Sequence, residues 1–234
     1  MIPIRDSEEI ETFPLLTIAI IVINVVVFLF MRFSANAKPN PELALASFYY
    51  RFGLIPYTMS TGKVVYDSVR PYGLTLITSI FLHGSYSHII FNMLFLWIFG
   101  NNIEDYFGHV FFLLFYVIAG IFASFTQILT KPSSQVPVIG ASGAIAGIMG
   151  AYFFLFRKAR IKSLVFLFYF VTVVEVPAFL YLLIWFLMQI FSGITSFNAA
   201  SGVAFWAHIG GFVFGAVVAV FYKAIIHGRR ESSY

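Results

Sequence analysis

The sequence predicts an all-α polytopic membrane protein, a bundle of six transmembrane helices, on three observations. The chain is 60% hydrophobic and 20% aromatic with only 10% charged residues, more apolar than a soluble core of this length needs. Apolar runs of about 20 residues, the length that crosses roughly 30 Å of hydrocarbon, recur from end to end. The few polar and ionisable side chains inside those runs cluster in three short strings. Such side chains are costly in hydrocarbon and normally face a bundle interior or a water-filled cavity, so function is sought there.

The first helix is expected at 14–31, after a polar, mildly acidic N-terminus (Met1 to Thr12). No small-residue cleavage site follows it, so it reads as a retained span rather than a removed signal peptide. A long loop, 32–85, is broken by Pro39, Pro41, Pro56 and Pro71. Its aromatic rings and interspersed charges suit the headgroup layer, and short interfacial helices are expected in it. The remaining spans are placed at 86–102, 109–129, 139–156, 177–193 and 202–226. As a single helix, Ser163 to Ser192 would be about 45 Å long. Glu175 and Pro177 interrupt it, so 163–175 reads as a β-branched and aromatic connector at the interface. The whole chain, 1–234, is expected to be one integral domain with no attached soluble module.

Arg157, Lys158, Arg160 and Lys162 follow the fourth span, and Lys223, Arg229 and Arg230 end the sixth. Basic flanks mark the cytoplasmic side, which places both termini in the cytoplasm; Arg32, Lys38, Arg51, Lys63 and Arg70 in the long loop weaken the bias without reversing it. The expected location is a prokaryotic cell (inner) membrane. A net charge of +4 spread over loops and tail is membrane-flanking charge rather than a nucleic-acid surface. With no cysteine, disulfides, thiolate chemistry and Cys-ligated zinc are excluded.

Small residues recur at spacings of three and four: Gly143, Gly147 and Gly150 on the fourth span, Gly211, Gly215 and Ala219 on the sixth. Each set lies on one helical face, and such faces let two helices approach closely in a bilayer. Lipid-facing glycines or homodimerisation are the alternatives to packing the fourth span on the sixth. In that packing Ser142, which opens the first face, meets His208, which shares the second. A serine hydroxyl becomes a nucleophile when a base within about 2.6–3.2 Å accepts its proton, and neutral imidazole is the usual base near pH 7. The turn-rich stretch Lys131 to Gly140 puts Ser142 at a helix N-terminus, whose free N–H groups and positive dipole end suit a developing oxyanion. His88 and Asn92, four apart on one face of the second span, are the candidate oxyanion donors. His83, at the loop edge and off that face, reads as a structural hydrogen-bonder. Glu104, Asp105 and Glu175 fall at span ends or loops, so no carboxylate stands where it would orient His208, and a Ser-His dyad is expected.

These strings resemble those of the rhomboid intramembrane serine proteases. The chain matches H-x4-H-x3-N at His83, His88 and Asn92, G-x-S-G at Gly140 to Gly143, and A-H-x-x-G-x-x-x-G at Ala207, His208, Gly211 and Gly215. The resemblance covers about 74–226 and implies a six-span rhomboid-like bundle. It further implies Ser142 as nucleophile, His208 as general base, and His88, Asn92 and the Ser142 backbone N–H as the oxyanion site. Glu104 looks like the family's structural acidic residue after the second span. Two departures stand out: the Trp-Arg pair many members carry in the first loop would fall at Leu74-Thr75, and an aromatic that braces the histidine in some members is here Ala146. Phe205 or Trp206 is the candidate replacement.

The reaction expected is hydrolysis of a peptide bond in or near a transmembrane helix of another protein. The scissile segment must first unwind, because a helix protects its carbonyls. Loops 32–85 and 194–201 are the candidate gates for water and substrate. Expected partners are transmembrane protein substrates and membrane lipid, with no nucleic acid; the chain is expected to work as a monomer. No cofactor or metal is implied, since neither a His-Glu-x-x-His zinc motif nor a phosphate loop is present. The rivals are a noncatalytic rhomboid-like protein that binds transmembrane helices, a channel or transporter built on broken helices, and a zinc site of His83, His88 and His208.

Overall fold

A computed structural model of the chain describes residues 1–66, 71–167, 170–197 and 203–231, without the side chains of 166–167 and 226–231. A short strand, β1 (Ile2–Asp6), leads into α1 (Leu15–Asn36). The proline-broken segment after it folds into α2 (Pro41–Phe52), α3 (Pro56–Thr61) and α4 (Thr75–Thr78), the last flanked by 3-10 turns at Tyr72–Leu74 and Ser79–Phe81. Pro41 and Pro56 each open a helix, where a missing N–H costs nothing. Then come α5 (Tyr86–Phe107), α6 (His109–Thr130) and α7 (Ser142–Leu155). Strands β2 (Arg160–Leu167) and β3 (Phe170–Pro177) precede α8 (Ala178–Thr195) and α9 (Phe205–Glu231).

Among the described residues α1, α6, α8 and α9 (to Ile225) are long and apolar enough to cross a bilayer. The segment Tyr72–Phe81 and α5, bent by 83° at the break between them, pass the same test of length and apolarity only as a pair. With 14 residues, α7 is about 21 Å long, short of the hydrocarbon thickness, and every residue from Gly143 to Tyr152 is buried. It is the central post around which the others stand. Its start is Ser142 rather than 139 because the preceding segment is extended: Leu54 and Val138 pair as an isolated antiparallel bridge, and the Gly140 N–H donates to Ser79 O at 2.9 Å.

Two helices run past their expected ends because the charges there find partners. α1 continues through Arg32, whose guanidinium lies 5.2 and 5.3 Å from the rings of Phe28 and Tyr86 and donates to Gly84 O at 2.9 Å. α5 continues past 102 to Gly108, where φ is +76° and the helix stops. Glu104, with no solvent exposure, accepts the first-turn N–H groups of Leu16 and Thr17 at 2.8 and 2.7 Å and pairs with His109 Nδ1 at 2.6 Å. A buried carboxylate thus satisfies the orphan donors and complements the positive end of α1.

α7 and α9 meet backbone to backbone. A Cβ on Gly211 would overlap the carbonyl oxygen of Gly143, one on Gly215 that of Gly147, and one on Gly150 that of Phe212. Small residues therefore set the distance between these helices, the means available where the hydrophobic effect between them is absent.

Besides the helices the chain forms a three-stranded antiparallel sheet, order β1-β2-β3. It occupies most of 163–175, assigned from sequence to a connector. The β-branched run Val171 to Val174 favours a pleated strand, and Glu175 closes ion pairs with Arg160 and Lys162 at 3.3 and 3.2 Å instead of breaking a helix. The N-terminal segment, from which no strand was expected, completes the sheet through β1.

Asp6 anchors that strand to the bundle by accepting from Tyr152 Oη at 2.6 Å and Asn102 Nδ2 at 2.7 Å. Burial lifts its carboxyl from the ordinary value to about 6, although the Tyr152 hydrogen bond pulls the other way. The folded state therefore holds this proton more tightly than the unfolded state. Its contribution to stability is full below about pH 4 and is lost as pH rises through 6. The loss should be about 2 kcal/mol, allowing for partial solvation. Thermal unfolding in detergent between pH 4 and 7 should show this slope, and Asp6→Asn should flatten it; an unchanged slope would assign it to another group.

Candidate active site

The three polar strings lie at one end of the bundle, opposite the sheet. Ser142 is the first residue of α7, after Ala141 at the N-cap, and its hydroxyl has a partner on another helix. That partner is His208, four residues into α9: Ser142 Oγ donates to His208 Nε2 at 2.7 Å. The glycine contacts one and two turns along are what hold the two helices close enough for this bond.

His88 stands beside them. The Gly84 N–H donates to His88 Nδ1 at 3.4 Å, so in the neutral ring the proton is on Nε2. Nε2 faces Gly140, where φ is +121° and a Cβ would lie 2.6 Å from it. Glycine at 140 thus permits both the backbone turn into α7 and the approach of the imidazole. Asn92, one turn along α5 from His88, is buried, and its Nδ2 has no hydrogen-bond partner among the described residues. An unpaired buried amide is costly, and here its donors are available to a ligand. His83 is fully buried and packs edge-on against His88, ring centroids 4.9 Å apart. The turn carrying it is held by Arg32 and by the Tyr49 hydroxyl, 3.4 Å from both His83 O and Gly84 O.

Ser142, His208, His88 and Asn92 line one cavity of about 660 Å³, which reaches from loop residues Ser134 and Ser196 to Met149 within the bundle. Near its rim Lys131 donates to Ser196 O at 3.2 Å and lies 5.8 Å from the Phe197 ring, tying the end of α6 to the turn after α8. Of loop 194–201, one of the expected gates, residues 198–201 lie outside the described residues; so do Arg70 and the side chains of Arg229 and Arg230.

Two residues of the site lie outside the three polar strings. The His208 Nδ1–H donates to Gln189 Oε1 of α8 at 2.8 Å. Trp185, one turn earlier on α8, lies 6.0 Å from the His208 ring at an interplanar angle of 34°. Phe205 meets that ring edge-on at 6.4 Å, while Trp206 packs on Phe197. Where Ala146 leaves out an aromatic, α8 supplies one. The signal available was a lone amide in an otherwise apolar run, four residues after a tryptophan.

The family model described as the Rhomboid domain matches residues 71–224. The chain belongs to the rhomboid family. Its similarity to other rhomboids extends to Rhomboid protease GluP of Bacillus subtilis, 40% identical over 85 residues, or 36% of this chain and 16% of that protein. RHOMBOID-like protein 12, mitochondrial, of Arabidopsis thaliana is 33% identical over 171 residues, covering 66% of this chain and 47% of its own. Rhomboid protein 1, mitochondrial, of Saccharomyces cerevisiae is 29% identical over 168 residues, 68% of this chain and 44% of that one. This rhomboid chain spans less than half the length of those relatives. Family and apolar helices together make it an integral membrane protein.

Proposed function

We propose that the chain is an intramembrane serine endopeptidase that cleaves peptide bonds in or near transmembrane helices of other membrane proteins. The observation that carries the reading is the 2.7 Å hydrogen bond from Ser142 Oγ to His208 Nε2 at the wall of a cavity within an apolar bundle. His208 Nε2 takes the hydroxyl proton as Ser142 Oγ attacks the scissile carbonyl carbon. The carbonyl oxygen becomes an oxyanion facing the His88 Nε2–H, the Asn92 amide and the Ser142 N–H at the start of α7. The proton on His208 then passes to the leaving amine as the C–N bond breaks, leaving an acyl ester on Ser142. Water, deprotonated by His208, hydrolyses that ester and regenerates the serine.

The reading takes 1–234 as one integral unit in a prokaryotic cell membrane, with both termini cytoplasmic and the cavity opening to the other face. It also takes the chain to act as a monomer, without cofactor or metal. The substrates are transmembrane proteins whose helices unwind near the membrane edge, where small or helix-breaking residues lower the cost.

The test is reaction of the detergent-solubilised protein with a fluorophosphonate, which acylates activated serines. Wild type should label, while Ser142→Ala and His208→Ala, folded to the same thermal midpoint, should not. Folded wild type that fails to label would transfer the reading to a noncatalytic helix-binding rhomboid-like protein, and labelling that survives Ser142→Ala would identify a different serine.

A further inference from the structure

The hydrogen bond from His208 Nδ1 to Gln189 has a chemical direction. A side-chain carbonyl oxygen can only accept, so a neutral imidazole bonded to it carries its proton on Nδ1 and leaves the Nε2 lone pair toward Ser142. The opposite tautomer would present an N–H to the serine and could not take its proton. Nothing else does this work among the described residues: the carboxylates Glu104 and Asp105 are bonded to α1 and the segment before it, and Asp6 to the sheet-side anchor. The other titratable groups lining the cavity are His88 on α5 and Lys131 at the end of α6, neither of which bonds to Nδ1. Gln189 and Trp185 are four apart, hence on one face of α8. One lies 2.8 Å from Nδ1 and the other packs against the ring.

We propose that Gln189 is a positioning residue for His208, a neutral third member that holds the imidazole in the tautomer and orientation needed to accept the Ser142 proton. The proposal rests on His208 being the base in the reading above. An amide suits the place: it orients the ring without putting a second charge into a low-dielectric cavity, where an unpaired carboxylate would be expensive.

The experiment compares fluorophosphonate labelling rates against pH for wild type, Gln189→Leu, Gln189→Glu and His208→Ala. It adds ¹⁵N-histidine spectra of Ser142→Ala, with and without Gln189→Leu. Gln189→Leu should label about 10- to 100-fold more slowly, the effect of leaving one buried hydrogen bond unmade. Gln189→Glu should restore labelling toward wild type with the acid limb of its profile moved to higher pH, since a carboxylate favours the imidazolium; a merely structural role would not move that limb. In the spectra His208 should be the Nδ1–H tautomer with Gln189 present and a mixture without it. Wild-type labelling rate and profile in Gln189→Leu, with His208→Ala inactive, would overturn the positioning role while leaving the dyad standing. An Nε2–H tautomer in the presence of Gln189 would overturn it as well, even if Gln189→Leu fails to fold. Labelling unaffected by His208→Ala would remove the dyad on which both readings rest.

Discussion

His208→Ala should lower turnover of a transmembrane substrate by about 10⁴- to 10⁶-fold, the range seen when a unit of nucleophile and base loses one member. Ser142→Ala should do the same. The double variant should be no worse than either, because nucleophile and base act in a single step. Asn92→Ala should lose less, on the order of 10²- to 10³-fold, as expected for one oxyanion donor among several. That ordering separates two roles that a simple loss of activity would merge: a proton acceptor is needed for attack to begin, whereas the oxyanion also has donors at His88 and the Ser142 N–H. The measurement is kcat/KM for cleavage in detergent or liposomes, with thermal midpoints to show that each variant is folded. Near-wild-type cleavage by His208→Ala would end the dyad mechanism.

Gly215→Val should cost about 3 kcal/mol or more in stability, the upper end of overpacking effects, and should abolish labelling even where the protein still folds. A Cβ at 215 meets the carbonyl of Gly147, a backbone group that no rotamer change can move aside. Relief requires α9 to retreat from α7, which draws His208 away from Ser142. Val217→Ala, on the lipid-facing side of the same helix at 47% exposure, should leave stability and labelling nearly unchanged. Thermal unfolding and protease resistance in detergent would read both. A tolerated Gly215→Val would mean that the α7–α9 contact yields more easily than its geometry implies.

Much of this architecture was legible because it is written in short periods. Glycines three and four apart identify the faces of α7 and α9, and the residues beside them, Ser142 and His208, lie within hydrogen-bond distance. His88 and Asn92 show themselves as polar residues one turn apart in an apolar helix. What stayed hidden depends on how distant elements dock. Gln189 and Trp185 sit in an apolar run with no local sign of which neighbour they face. The sheet was obscured because its hairpin is as apolar as a span, and its third strand comes from the other end of the chain. The ends of α1 and α5 are hidden at charged residues whose partners, Gly84 O for Arg32 and the α1 N-terminus for Glu104, lie 52 and 88 positions away.

The backbone contact between α7 and α9 also decides where this protein can change. Cβ positions on Gly211, Gly215 and Gly150 run into backbone carbonyls of the facing helix, and those on Gly143 and Gly147 into Ala123 and Ala119 of α6, so the seam has no room for larger side chains. The cavity walls from α5, α6 and α8 are different: Phe91, Phe95, Gln127 and Trp185 meet the enclosed space with side chains of varied size and polarity. A saturation library would find a rigid seam beside a plastic lining, and redesign of substrate preference belongs to the lining.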